Sequence, residues 1–485
     1  MDTGFRSRMS GAWSLISWKH ACCGLITLAI AQFLIISQGF GQPNVCITTS
    51  QSPSTRPEDH SIAALDAAHF VETSLGNVTG DGLTAEQCLG IFPDLYHPID
   101  KAIEHWKTRR HVISREDIDV TYRVTSLPVP ERGAAMRILI HDNELRVLES
   151  LDPTCNFQSI RERAVGTLFN IQAALQSATA GGETLPTIEA ALVFLDQTHY
   201  PDEPSTRSTW AMAANTGDQT HQRHWLMPSF DFRYSFESGP YYSDARRRAM
   251  EHDVPWTSKI PKAVWRGSRS SDTKIRATLL QVTKDKEWAD VHEISANSDD
   301  PELNLSLDEL CRYVSSATVS DSTSWPLTDH DLFYSKAFTI HTEGATYSGR
   351  LKFLLNCNSV PIVHDYTWIS EWYHLLKDDG PEQNHVRVKR DWSDLEQKVQ
   401  YYLDHPDEAQ RIIDSHLATF RGRYLTKAAQ SCYIRALIQG YSTVSFKPVV
   451  YIQANAEPGK ASIRRGEPFE QFIYEPRDFV EGQLG

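Results

Sequence analysis

The segment His341-Thr342-Glu343-Gly344-Ala345-Thr346-Tyr347-Ser348-Gly349-Arg350-Leu351-Lys352 has the residue types of a phosphate-binding loop. Phe338 to His341 reads as a strand, and Gly349 to Cys357 as a helix with Leu351, Leu354 and Leu355 on one side. The glycines let backbone amides approach an anion, the helix start adds unpaired N–H groups, and Arg350 offers a two-pronged donor for phosphate oxygens. An ordinary loop with a surface arginine has the same local appearance. A second strand-end loop, Arg266-Gly267-Ser268-Arg269, follows the strand Lys262 to Trp265 and repeats the Gly, Ser and Arg types. Neither G-x-G-x-x-G nor G-x-x-x-x-G-K-[ST] occurs, so neither dinucleotide nor P-loop binding is indicated.

Transfer of a group to a hydroxyl needs a carboxylate or imidazole to take the proton. Asp196, His199 and Asp202 follow the apolar strand Ala190 to Leu195 and are the candidates for that base. Asp329-His330-Asp331 and Asp117-Ile118-Asp119 match the short D-x-D pattern of metal-dependent transferases, but neither sits at a strand end among other ligands, and no metal site is expected. The 19 histidines form no H-E-x-x-H, and no G-x-S-x-G elbow is present, which counts against a hydrolase.

The elements that must carry these loops alternate. In the second half they run strand Lys262–Trp265, helix Ser271–Lys284, strand Phe338–His341, helix Gly349–Cys357, strand Val360–Val363, helix Trp368–Leu376 and strand His385–Val388. A helix capped by Ser393 then continues through Leu403, with Asp394 and Glu396 in its first turn. This order predicts an α/β fold with an open parallel sheet, which binds ligands at the carboxyl ends of its strands. The first half holds a strand at Met136–His141, a helix at Ser159–Gln176 and a loop-rich aromatic stretch from Thr198 to Ser238. Asn297 to Asp329 reads as an insertion loop.

Length and charge set the frame. The chain has 485 residues, enough for two or three domains, and its 40% hydrophobic content is that of a globular enzyme. A net charge of -14 argues against a nucleic-acid partner while leaving room for a local basic pocket. From Ala21 to Ile36 the chain is apolar and uncharged, with Arg6, Arg8 and Lys19 before it. That predicts a single N-terminal membrane helix with the remainder in the lumen, a type II arrangement in the Golgi or endoplasmic reticulum membrane. A cleaved signal peptide is the rival reading, disfavoured because no A-x-A-like site follows the run. The tripeptides at Asn77 and Asn304 are N-glycosylation acceptors, consistent with that compartment. Of the eight cysteines, Cys46, Cys88, Cys155, Cys311, Cys357 and Cys432 would be luminal, where disulfides persist.

From Lys262 to Ser445 the chain resembles glycosyltransferase family 90, which includes Rumi-type protein O-glucosyltransferases and fungal capsule-associated transferase-like proteins; the filamentous-fungal branch is the nearest in pattern. The resemblance rests on KAVWRGSRSS (262–271), KEWADV (286–291), IHTEGATYSGRLKFLLNCNSVPIVHD (340–365), GPEQNHVRV (380–388) and FRGRYLTKAAQSCYIRALIQGY (420–441), and more weakly on MRILIHDNEL (136–145) and WLMPSFDF (225–232). It implies a GT-B-like fold, two Rossmann-like domains facing across a cleft, with a last helix crossing back. The implied segments are a cytosolic tail (1–20), an anchor (21–38), a stem (39–61), an acceptor-side domain (62–255), a donor domain (256–425) and a returning helix with tail (426–485). The implied activity is inverting, metal-independent transfer of glucose or xylose from a UDP-sugar to a hydroxyl of a glycan or glycoprotein. A catalytically silent sugar-nucleotide- or glycan-binding relative is the other reading. The donor would meet Arg266, Gly267, Ser268 and Arg269 from one loop, and Glu343, Gly344, Ser348, Gly349, Arg350 and Lys352 from the other. The family's base precedes a proline in the loop after a strand; here that loop, LDQTHYPDEP (195–204), is one residue longer, and Asp196 is preferred ahead of His199 and Asp202. Cys88 and Cys432 match positions that tie the N-terminal region to the last helix, so a disulfide is expected between them. Cys357 would pair with Cys311 or stay free.

Overall fold

The computed structural model describes residues 82–120, 134–151, 158–195, 204–233, 242–251, 253–269, 272–293, 336–453 and 462–474. The apolar run Ala21–Ile36, the stem, Asn77, Asn304, Cys46, Cys155, Cys311, the insertion 297–329 and the base candidates Asp196, His199 and Asp202 lie outside the described residues. Among the described residues no helix is long and apolar enough to cross a membrane.

In chain order the elements are helices α1 (Ala85–Ile91) and α2 (His97–Thr108), strands β1 (Ala135–His141) and β2 (Glu144–Ser150), the long helix α3 (Gln158–Ala180) and strand β3 (Ile188–Val193). Short strands β4 (Trp210–Ala211), β5 (Ala214–Asn215) and β6 (Trp225–Leu226) and helix α4 (Tyr242–Glu251) follow. Next come β7 (Ile260–Gly267), α5 (Thr273–Val282), β8 (Ala289–Glu293), β9 (Lys336–His341), α6 (Arg350–Leu354), β10 (Val360–His364), β11 (Trp368–Ile369) and β12 (Val386–Val388). The chain ends with α7 (Leu395–Asp404), α8 (Pro406–His416), α9 (Lys427–Ser442), β13 (Tyr451–Gln453), β14 (Ser462–Arg464), β15 (Glu467–Pro468) and α10 (Phe469–Tyr474).

Two main sheets share the compact unit His60–Gly485. The second is wholly parallel, in the order β8-β7-β9-β10-β12. Its strands β9 and β10 are buried at every position, as parallel strands covered on both faces must be. The first sheet departs from the expected parallel pattern. Its order is β15-β2-β1-β3-β4-β6, with β1 antiparallel to both β2 and β3, and only β3-β4-β6 parallel. The cause is local: Asp142 and Asn143 both adopt positive φ and turn β1 straight back into β2 as a hairpin. Helix α9 returns to this side, where the Tyr433 hydroxyl donates to the Leu226 carbonyl and Cys432 is bonded to Cys88, the expected disulfide.

Four local expectations change. Strand β7 continues through Arg266 and Gly267, because both pair with β8, so the polar loop begins only at Ser268. The helix expected at Gly349–Cys357 is a five-residue turn starting at Arg350 with Gly349 as its cap, too short to carry much dipole. The helix expected at Trp368–Leu376 is instead β11 and a 3-10 turn, Tyr373–Leu375. Here β11 pairs with β5 of the first half, and that ladder overrides the local helical pattern. Asp394, not Ser393, stands at the cap of α7.

Candidate functional site

In the second sheet β7 lies beside β9, yet the chain leaves β7 toward β8 on one side and β9 toward β10 on the other. The loops after β7 and β9 therefore diverge and leave a crevice, the position at which open α/β sheets bind ligands. Both loops singled out from sequence begin here, at Ser268 and Thr342.

Four contacts hold the crevice walls. The Trp265 indole Nε1 donates to Thr342 Oγ1 at 3.1 Å, joining the strand ends. Gly267 is needed beside that ring, since a Cβ there would fall 2.6 Å from Trp265 Cζ2. Arg276, on α5, donates from Nη1 to the Ser268 carbonyl at 2.7 Å and from Nε to the Glu343 carbonyl at 3.1 Å, bridging the two loops. Arg350 donates from Nη1 to the Arg266 carbonyl at 2.6 Å. Ser348, Gly349 and Arg350 stay half-buried at the crevice edge, open enough to meet a ligand.

Other predicted residues are engaged within the protein. Arg266 is buried, and its Nη2 donates to Asp290 Oδ1 at 2.6 Å, while Lys336 Nζ reaches the other oxygen of Asp290 at 3.0 Å. Burial pushes the Asp290 carboxyl up, but hydrogen bonds and charge from His292, Arg266 and Lys336 outweigh it and hold the group well below its usual range. The Arg266 side chain thus braces β7 to β8 and β9. Arg269 lies exposed at the rim, with Nε 2.7 Å from Glu293 Oε2. Glu343 is buried and accepts from the backbone N–H of Thr367 at 2.7 Å and of Trp368 at 2.6 Å, with Arg390 Nη1 at 2.7 Å. It holds the loop after β10 rather than facing the crevice. Gly344 donates its N–H to the Thr346 carbonyl at 3.0 Å.

Lys352 has turned toward the first half. Its Nζ donates to both oxygens of Asp231 at 2.6 Å and to Ser229 Oγ at 3.1 Å, and its side chain is only 2% exposed. Gly166 on α3 makes this possible, because a Cβ there would meet the Phe230 carbonyl at 2.6 Å and push the Ser229–Asp231 turn away.

Beneath the crevice the imidazoles are neutral. His364 Nε2 accepts the Glu343 N–H at 2.9 Å, and its Nδ1 donates to the Asp365 carbonyl at 2.7 Å, which assigns the tautomer. Burial, then the neighbouring His364, Arg350 and Arg276, keep His341 well below the ordinary histidine range. Neither ring nitrogen of His341 has a hydrogen-bond partner among the described residues.

Asp117 of the first D-x-D is buried and accepts from Ser114 N at 2.8 Å, with His111 Nε2 at 2.6 Å, so the protein itself engages it. The second, Asp329 to Asp331, lies outside the described residues. Cys357 is free and buried, and burial raises its thiol to about 12. Sequence reasoning missed Arg276 and Asp231. Arg276 sits in an otherwise plain helix, and its one signal is a charge set close to the apolar Ile275 and Leu279.

Comparison with known proteins assigns the family. The family model described as glycosyl transferase family 90 matches residues 218–460. Protein O-glucosyltransferase 2 of Danio rerio is 25% identical over 262 residues, 53% of this chain and 47% of its own length. An O-glucosyltransferase rumi homolog of Anopheles gambiae is 25% identical over 208 residues, 40% of this chain and 45% of its own. The chain thus spans about half the length of the curated relatives it matches. The family match covers half of the chain and takes in both loops of the crevice: the chain belongs to glycosyltransferase family 90.

Proposed function

We propose that the chain is an inverting, metal-independent glycosyltransferase that moves glucose or xylose from a UDP-sugar to a hydroxyl of a glycan or glycoprotein in the secretory pathway. The observation that carries this reading is the placement of Ser348, Gly349 and Arg350 at the switch point of a parallel sheet within the family-matched segment. In a GT-B-like arrangement the second sheet would hold the donor and the first half the acceptor. Arg350, helped by Arg269 at the rim, would take up the charge that grows on the departing UDP as the bond to the sugar breaks, with no divalent cation required. Asp196 would receive the acceptor proton as the hydroxyl oxygen attacks the anomeric carbon from the opposite face, with His199 and Asp202 behind it. The N-terminal apolar run would anchor the chain in the Golgi or endoplasmic reticulum membrane. The names of the relatives, protein O-glucosyltransferases, support a glycoprotein acceptor.

The test is release of UDP from UDP-glucose and UDP-xylose by the purified chain, with Asp196→Asn measured alongside. Turnover by the wild type and its loss in Asp196→Asn is the expected result. UDP binding without turnover of any UDP-sugar overturns it and favours a catalytically silent sugar-nucleotide-binding relative.

A further inference from the structure

At the β12 edge of the second sheet lies a cavity of about 300 Å³, formed by β12, the loop before it and one face of α7. Asp394, Lys398 and Tyr402 recur every four residues, so α7 presents all three on that face. The charges balance, with Arg387, Lys389 and Lys398 set against Asp365, Asp378 and Asp394. Arg387 serves two of the carboxylates, Nε donating to Asp365 Oδ1 at 2.5 Å and Nη1 to Asp378 Oδ2 at 3.0 Å. Asp394 Oδ1 accepts the Lys389 backbone N–H at 2.9 Å, and the Tyr402 hydroxyl accepts from Gln383 Nε2 at 3.1 Å. Hydrogen-bonding capacity of both kinds is left over. Among the described residues the ammoniums of Lys389 and Lys398 have no hydrogen bond or ion pair, and the Tyr402 hydroxyl proton has no acceptor. The second oxygens of Asp365 and Asp394 likewise receive no donor there.

We infer that this cavity is a second saccharide site, one that takes a neutral sugar unit of a glycan. An apolar molecule would strip water from these charges without replacing its hydrogen bonds. A strong anion would face three carboxylates as well as three cations. A sugar hydroxyl both donates and accepts, so neighbouring hydroxyls on one ring can take from the free ammoniums and the tyrosine while giving to the free carboxylate oxygens. The volume is at the lower end of the range of small-molecule sites, roughly 300–1,000 Å³, and suits a single sugar unit. The place in the fold connects it to the crevice. β12 lies two strands from β9, roughly 10 Å across the sheet at the usual strand spacing. Asp365 joins the two: its carbonyl accepts from Arg390 Nη1 at 2.9 Å, and the same nitrogen lies 2.7 Å from Glu343 Oε2. A glycan seated at the edge therefore extends toward the crevice. The site stands on the cavity alone; that its saccharide belongs to the acceptor rests on the function proposed above.

The experiment is a saturation-transfer NMR titration of the purified chain, in excess UDP, with the methyl glycosides of glucose, xylose, mannose and galactose, and with inorganic phosphate as the anionic probe. At least one glycoside should bind without displacement by UDP. Lys398→Gln and Asp394→Asn should each weaken it about tenfold, since each removes a charge-assisted hydrogen bond, while UDP affinity stays within twofold of wild type. The two substitutions change charge in opposite directions, which separates a saccharide site from an anion site. Phosphate binding that falls in Lys398→Gln and rises in Asp394→Asn, with no glycoside bound, overturns the inference. So does a glycoside whose affinity neither variant changes, or one that UDP displaces. Asparagine keeps an oxygen for the Lys389 N–H; should Asp394→Asn still fail to fold, Tyr402→Phe takes its place, and an unchanged glycoside affinity there counts against the site. The titration needs no turnover. A chain that binds a glycoside this way but turns over no UDP-sugar overturns the proposed function alone, and one that turns over a UDP-sugar but binds no glycoside overturns this inference alone.

Discussion

Lys352 offers the sharpest test of how the site is built. From sequence it belongs to the donor set; in the structure its ammonium is buried against both oxygens of Asp231 and Ser229 Oγ, with the rings of Phe353 and Phe232 at 4.9 and 5.3 Å. Lys352→Met keeps the length and apolar body but strands the Asp231 carboxylate, whose side chain is 15% exposed. Removing one partner of a buried pair costs about 3–5 kcal/mol, and the partial exposure of Asp231 places the expectation near the lower end, about 3 kcal/mol. Asp231→Leu alone strands the ammonium and should cost at least as much, because Lys352 is the more deeply buried of the two. The double variant leaves no unpaired charge and should recover most of the stability, costing about 1 kcal/mol, so the coupling energy in a double-mutant cycle is about 5 kcal/mol. Urea unfolding supplies the stabilities and UDP titration the affinities. The reasoning is refuted if Lys352→Met is as stable as wild type and loses UDP affinity, for that is the behaviour of a phosphate ligand and not of a brace between α6 and the Ser229–Phe232 turn.

Three further expectations follow from the same contacts. Gly267→Ala drives a methyl into the Trp265 ring and breaks the Trp265–Thr342 hydrogen bond, so it should cost about 2–4 kcal/mol and weaken UDP binding; an unchanged urea midpoint counts against the crowding argument. Replacing Cys88 and Cys432 by serine opens a cross-link spanning 344 residues and should cost about 3–5 kcal/mol, read as a lower Tm; a fall under about 1 kcal/mol would show that the returning helix needs no tether. Acidification should destabilise the chain. Burial lowers His385 to about 4 and His416 to about 3, so their stabilising effect is complete above the unfolded value near 6.5 and is lost as pH falls, about 2 kcal/mol each by pH 5. Glu371 works the other way: burial raises it to about 7, so its penalty is greatest above neutrality and shrinks on acidification. Glu371→Gln should therefore steepen the fall in Tm between pH 7 and pH 5, and a flatter profile would contradict the assignment.

Much of the second half was legible because its signals are local. Val360–Val363 and Phe338–His341 are apolar runs of strand length, and a parallel sheet buried on both faces requires such runs wherever it sits. The two Gly/Ser/Arg loops were legible for the same reason, since a strand end followed by a small-residue turn is written in consecutive positions. What the residues point to remained invisible. Arg266, Arg269, Arg350 and Lys352 look alike on paper; tertiary packing set Asp290 against the first, Glu293 against the second and Asp231 against the last, while Arg350 stayed half-buried at the crevice. Trp368 to Leu376 has a helical rhythm, yet pairing of Trp368 and Ile369 with Asn215 and Ala214, some 150 residues away, made a strand of its start. Arg276 gained its place from carbonyls on two loops that only the sheet order brings together. Composition and periodicity determine which elements form; the choice among chemically equivalent side chains depends on which opposite charge or orphan carbonyl the fold carries within 3 Å, and that is decided by contacts between residues far apart in the chain.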